Sequence, residues 1–122
     1  MQSWLSEERS IYLQIGEMIE TDILREILLE DERIPSTNEL ARLYTINPAT
    51  AAKGVNLLVD EGILYKKRGI GMFVSLGAAE RIRAKRRQAF FEKRIGELLE
   101  EAGSLGISKE ELIICLKEGT KK

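Results

Sequence analysis

Isoleucine recurs at every fourth position early in the chain, at Ile11, Ile15, Ile19, Ile23 and Ile27, with Met18 and Leu24 beside the row. A period near four gathers these side chains on one stripe and predicts a long amphipathic helix from about Ser10. Its wet face carries Glu17, Glu20, Asp22 and Glu26. Ahead of it, Met1 to Arg9 reads as a short leading segment whose Trp4 and Leu5 are placed to dock on a neighbouring helix.

Two shorter runs follow. The first opens at Ser36 with Glu39 three residues on, the spacing at which serine and glutamate each satisfy an orphan backbone donor. Leu40, Ala41 and Leu43 supply its apolar face, and Tyr44-Thr45-Ile46 reads as a turn. The second run has Asn47 as its cap and Pro48 at the first helical position, where a missing N–H costs nothing. It extends to about Asp60, and Gly62 is placed to end it in a left-handed conformation. Ala51, Val55, Leu58 and Val59 fall together toward the preceding helix, while Ala49, Thr50, Lys53 and Asn56 fall on the opposite side. The β-prone runs Ile63 to Lys67 and Met72 to Val74 flank Arg68-Gly69-Ile70-Gly71 and predict a hairpin with a glycine tip. Helix, tight turn, helix and basic hairpin in this order make a winged helix-turn-helix over residues 1–75.

The last 47 residues, 76–122, predict two helices. One starts near Ala78 and runs to about Ala102, closed by Gly103, with Phe91, Ile95, Leu98, Leu99 and Ala102 as its stripe. The other starts at Ser108, where Glu111 completes a second capping box and Ile107 can staple against Leu112, and it ends near Gly119. Two helices enclose no core alone. Their apolar residues, Phe91, Ile95, Leu98, Leu99, Leu112, Ile113 and Leu116, are therefore expected to pair with a second copy of the chain. The fold class is mainly α with a small β-hairpin, a winged helix-turn-helix followed by a short two-helix dimerisation tail.

Charge refines this picture. The chain is 43% hydrophobic and 32% charged, a globular composition, and its net charge of −1 excludes a crude polyanion binder. Through Ser75 there are 8 Lys and Arg against 12 Asp and Glu, and afterwards 11 against 8. The acids of the first part cluster before Leu40, notably Glu30-Asp31-Glu32, whereas the hairpin carries only cations: Lys66, Lys67 and Arg68. Such a chain can bind DNA if its cations share one face. The second helix of the pair would enter the major groove, with Lys53 reaching phosphate or guanine, and the arginine-bearing tip would enter a minor groove. The run Arg81 to Arg87, five cations in seven residues, reads equally as a solvated helix face or as a phosphate contact beside the wing.

Enzymatic chemistry finds no footing. The chain has no histidine and one cysteine, so neither an imidazole base nor a thiolate metal site is expected, and no cofactor is implied. Gly69-Ile70-Gly71 lacks the Gly-Lys-Ser/Thr ending of a phosphate loop and leads into a strand. Cys115, set in Leu112-Ile113-Ile114-Cys115-Leu116, is expected to be a buried, inert thiol. With no apolar run near the ~20 residues of a bilayer span and no signal-peptide pattern, a cytoplasmic protein is expected.

The segments Ser10 to Ile15, Ile34-Pro35-Ser36, Glu39-Leu40-Ala41, Asn47-Pro48-Ala49-Thr50, Glu61 to Leu64 and Lys67 to Val74 resemble the GntR family of bacterial transcription regulators in one continuous register over roughly residues 9–75. With its short tail the chain is similar to the YtrA-like subfamily. The resemblance implies DNA contacts at Ser36, Thr50, Lys53, Arg68 and Gly69. With their neighbours, the candidate set is Ser36, Thr37, Asn38, Asn47, Ala49, Thr50, Lys53, Lys67, Arg68 and Gly69. The chain departs from the family's pattern in three places: Asn38 stands where arginine is usual, Ala51-Ala52 replaces a Val-Arg/Gln pair, and Glu30-Asp31 replaces a Pro-Gly that precedes the motif.

The expected function is sequence-specific binding of a palindromic double-stranded DNA operator by a homodimer, most simply as a repressor, without membrane association. The alternative is a winged helix used as a protein-interaction module, which the cationic wing disfavours. Larger family members carry a ligand domain that 47 residues cannot form. Any small-molecule effector would have to sit between helices at the dimer interface, around Phe90, Phe91 or Tyr12.

Overall fold

The computed structural model describes residues 9–119, so the expected docking of Trp4 and Leu5 lies outside the described residues. The isoleucine row forms α1, Ile11–Leu24, with Ile15, Ile19 and Ile23 buried. The helix stops one turn before the row does. Glu26 takes a left-handed φ of 61°, and the Ile27 N–H returns to the Asp22 carbonyl at 2.8 Å, closing a Schellman cap. Ile27, expected on the stripe, is 62% exposed. Glu20, expected on the wet face, is 1% exposed.

The helix-turn-helix consists of α2, Thr37–Tyr44, and α3, Pro48–Asp60. The capping box at Ser36 is formed: its Oγ accepts from the Glu39 N–H at 3.1 Å, and its own N–H donates to Glu39 Oε1 at 2.8 Å. Those bonds hold the Glu39 carboxyl below its ordinary range, with Arg33 and Arg42 adding to the effect. The turn is shorter than expected. Tyr44 is the last helical residue and is buried, whereas Leu43 is 45% exposed; Thr45 takes φ 53° and the Ile46 N–H returns to Ala41. Asn47 Oδ1 accepts from the Ala49 N–H at 2.7 Å, and Pro48 opens α3 as expected. At its far end Gly62, φ 77°, sits between the bonds Gly62 N–H to Val59 and Ile63 N–H to Leu58. Only a residue without a Cβ takes that conformation without strain, and a Cβ there would also strike the Arg81 guanidinium.

α1 and α3 cross closely at two glycines. Gly54 of α3 lies against the backbone carbonyl of Tyr12, and Gly16 of α1 faces the Gly54 carbonyl and Leu58. Ala51, Val55 and Leu58 are buried with Leu40, Ala41 and Tyr44 of α2 and the α1 isoleucines. Full burial of each of the larger aliphatic side chains contributes about 1.5–3 kcal/mol.

The wing is β1, Leu64–Lys67, paired antiparallel with β2, Gly71–Val74, in the register Leu64 with Val74 and Lys67 with Gly71. Leu64 and Val74 enter the core, and Tyr65 stacks on Phe73 on the opposite face at 5.7 Å between centroids. A third segment completes the sheet. Arg33 bridges Phe73, Ile34 N–H donates to the Met72 carbonyl, and Asp31 N–H donates to the Val74 carbonyl at 2.8 Å. Asp31, at the position of the family's usual glycine, has φ 66°. Its carboxylate accepts from the Tyr65 hydroxyl at 2.8 Å and raises the pKa of that phenol, while Glu30 accepts from the Gly77 N–H. The acidic run thus holds the root of the wing.

Contacts divide the chain after Arg83. Helix α4, Ala78–Ala89, contributes Ala78 and Ile82 to the first unit's core. In the second unit a π-helical segment, Phe90–Arg94, leads into α5, Ile95–Ser104. Gly103, expected to close this helix, lies inside it; Gly106, φ 73°, provides the cap, with the Ile107 N–H bonded to Ala102 at 2.8 Å. Helix α6, Lys109–Glu118, starts on the expected Ser108–Glu111 capping box. It buries none of its residues, so Cys115, expected inside, is exposed. No helix among the described residues is long and apolar enough to cross a membrane.

Candidate nucleic-acid interface

The apolar stripe of α3 points into the core, which fixes the opposite face outward. Ala49, Lys53 and Asn56 are exposed and Thr50 is half-buried. Lys53 is held in place: its Nζ lies 4.1 Å from the centroid of the Tyr12 ring on α1. A cation over a ring face gains about 0.5–1 kcal/mol at an exposed site, enough to bias the side chain without burying its charge. Asn47 Oδ1 accepts from the Ala49 N–H, which orients the side chain and leaves its NH2 donors and the second lone pair of the oxygen for other contacts. Ala52, the departure from the family's pattern, is half-buried and brings no polar group.

At the start of α2, Ser36 and Thr37 are half-buried and Asn38 is exposed. The Ser36 hydroxyl and N–H are both engaged in the capping box. In the wing, Lys66, Lys67, Arg68, Gly69 and Ile70 are all exposed, and Gly69 at φ 77° lets the tip turn tightly. Lys67 Nζ rests 4.6 Å from the Phe73 centroid. Ser36 and Thr37 line a notch of about 260 Å³ together with Lys67 and Gly69 of the wing. Two parts of the candidate set, far apart in sequence, thus meet in space; Ala49, Thr50 and Lys53 do not line this notch. Two side chains outside the candidate set lie beside it in the fold: Tyr12 beneath Lys53, and Arg33 in the notch. The first needs a helix crossing and the second a strand pairing, neither of which leaves a local signal.

The residues expected to pair two chains all lie in the second unit. Phe91, Leu98, Leu99, Ile113 and Leu116 are exposed, Leu116 at 77%, and Ile95 and Leu112 are half-buried.

Comparison with known proteins agrees with this architecture. The HTH-type transcriptional repressor YtrA of Bacillus subtilis (strain 168) is 29% identical over 108 residues, 88% of this chain and 82% of its own length. The crystal structure of a GntR-family transcriptional regulator from Bacteroides thetaiotaomicron superposes with a TM-score of 0.74 at 36% identity, covering 88% of this chain and 94% of its own. The AraR DNA-binding domain, solved in complex with operator ORX1, matches 62% of this chain and 92% of its own at 36% identity and a TM-score of 0.53. Residues 11–74 match the profile of the bacterial regulatory proteins, gntR family. That is more than half the chain, and the protein belongs to the gntR family as a YtrA-like helix-turn-helix transcription regulator, not an enzyme.

Proposed function

We propose that the chain is a cytoplasmic repressor that binds a two-fold DNA operator as a homodimer. The observation that carries the reading is the division of α3: Ala51, Val55 and Leu58 are buried, leaving Ala49, Thr50 and Lys53 outward next in sequence to a wing whose only charges are positive. In this reading Ala49 and Thr50 admit close approach to base edges, and Lys53 reaches guanine or phosphate. Asn47, Ser36, Thr37 and Asn38 face the backbone, and Arg68 beside Gly69 enters the minor groove with Lys67 on its flank. The likeness to an AraR domain bound to an operator supports this docking.

One recognition helix discriminates poorly against a genome of competing sites, and two-fold pairing presents two helices ~34–36 Å apart on successive major-groove faces. The exposed apolar side chains Phe91, Leu98, Leu99, Ile113 and Leu116, with Ile95 and Leu112, support the second unit as the pairing surface. Phe90 and Phe91, packed edge to face at 5.6 Å, offer an apolar seat for any small-molecule effector there. The test is light scattering beside a gel-shift titration against a duplex selected from random DNA. The wild type is expected to be a dimer, and Phe91→Glu with Leu98→Glu to be a monomer, because unpaired carboxylates do not tolerate an apolar interface. A wild-type monomer at micromolar concentration that still binds the duplex tightly defeats the dimer.

A further inference from the structure

The notch between α2 and the wing gathers three cations, of which Arg33 and Lys66 have no role in the reading above. It is lined by Arg33, Ser36, Thr37, Lys66, Lys67 and Gly69, among other residues, and no carboxylate lines it. Pairing fixes which cations share a face. Residues opposite each other in a ladder point the same way, and so do residues two apart in a strand. Arg33 opposite Phe73, and Lys67 opposite Gly71, therefore lie on one face of the small sheet. Gly71 makes their approach feasible. A Cβ built there would come within 2.7 Å of Arg33 Nε and 3.5 Å of its Cδ and Cζ, so the arginine stem runs across the bare glycine toward the wing tip. On the same face Lys67, an exposed residue, holds its Nζ 4.6 Å from the Phe73 ring centroid.

We infer that Arg33 and Lys67, flanking Gly71, grip a backbone phosphodiester of bound DNA, on the ridge between the two grooves that α3 and the wing enter. This rests on the DNA-binding reading above. If α3 occupies a major groove and the wing tip the adjacent minor groove, one sugar-phosphate strand must pass between them, and the notch borders the wing on the α2 side. Arginine suits the task because its planar fork takes two oxygens of one phosphate, while lysine adds a point charge. The contact carries no base information, so it supplies affinity and register alike for every sequence.

The experiment compares Arg33→Gln with the wild-type chain on two duplexes of equal length, one selected from random DNA by the wild type and one of random sequence. Arg33 is exposed, so the helical signal should be unchanged. Because the substitution removes one phosphate contact from each protomer of the dimer, the slope of log affinity against log salt should fall by about 1.8 on both duplexes, which shrinks the loss between 50 and 200 mM salt by about 12-fold. Arg33→Lys should keep the slope, and Lys67→Gln should lower it by a similar step. An unchanged slope for Arg33→Gln, or a change confined to one base pair, overturns the assignment. A second arm tests inorganic phosphate on the DNA-free protein at constant ionic strength. Saturable thermal stabilisation that Arg33→Gln abolishes would make this a free-anion site and overturn the DNA assignment. A wild-type chain that binds neither duplex defeats instead the reading on which the inference rests.

Discussion

Gly16 and Gly54 face each other across the α1–α3 crossing, yet the same substitution should have opposite effects at the two sites. A Cβ at Gly54 would lie 2.6 Å from the Tyr12 carbonyl oxygen and 3.3 Å from Ile15 Cβ. Ordinary contact begins at 3.4 Å, so the helices must part by about 0.8 Å, and the obstacle is backbone, which has no rotamer to turn away. Overpacking costs about 1–3 kcal/mol, and an obstacle that cannot turn away puts this site in the upper part of that range, about 2–3 kcal/mol, against about 1 kcal/mol regained from replacing glycine in a helix interior. Gly54→Ala should therefore destabilise by about 1–2 kcal/mol. At Gly16 the nearest atoms are at 3.7 and 3.8 Å, an ordinary contact, so Gly16→Ala should keep the propensity gain and stabilise by about 0.5–1 kcal/mol. With a urea m-value of about 2 kcal/mol/M, the midpoint should fall by about 0.5–1 M for Gly54→Ala and rise by less for Gly16→Ala. A Gly54→Ala midpoint at or above that of the wild type would refute the close crossing and, with it, the placement of α3.

Three further outcomes follow from the interface and its caps. Arg68→Ala should weaken DNA binding by about 1–3 kcal/mol per protomer while light scattering shows the same assembly, since each half of the dimer loses one close groove contact. Tyr12→Leu and Lys53→Ala should be non-additive in a double-mutant cycle of DNA affinity, with a coupling of about 0.5–1 kcal/mol, because the ring positions the ammonium; full additivity would free Lys53 from Tyr12. The third outcome concerns pH. The folded pKa of Glu39 is depressed, so its stabilisation is present above the ordinary glutamate value of about 4.3 and is lost as pH falls through the lower folded value. Glu39→Gln, which does not titrate, should lose less urea resistance than the wild type between pH 7 and pH 3.

What could be read from the sequence, and what could not, follows from how the helices end. Their beginnings were legible, because Ser36–Glu39, Asn47-Pro48 and Ser108–Glu111 are local chemistry, confined to a few adjacent residues. The ends of α1, α2, α3 and α5 use one recurrent geometry, a left-handed residue followed by an N–H that reaches back five positions. Gly62 advertised it. Gly103 and Gly106 both could have served, and the true cap is the later one. Glu26 and Thr45 adopt the same conformation with a side chain attached, so nothing marked the end of α1 or the shortness of the turn after α2. Of the candidate interface, the wing tip and the outer face of α3 were legible from period and charge. Arg33 was not, since its place depends on a pairing with Phe73, 40 positions away. Glu20 was hidden for a similar reason: its own helix marks it as wet, and its burial depends on packing that no local pattern shows.

The strand segment that precedes α2 has a mechanical consequence. Ile34 is hydrogen-bonded to β2 through Met72, and only Pro35 stands between it and Ser36, the cap of α2. The wing is therefore tied to the helix-turn-helix twice, through Pro35 to α2 and through Glu61, Gly62 and Ile63 from α3 into β1. Proline stiffens the first connection and the Gly62 turn closes the second. Held at both ends, the wing has no single joint to swing about, so the spacing between its tip and α3 works as a fixed gauge. DNA whose two grooves are spaced differently must then deform to fit the protein, and its stiffness becomes part of the discrimination.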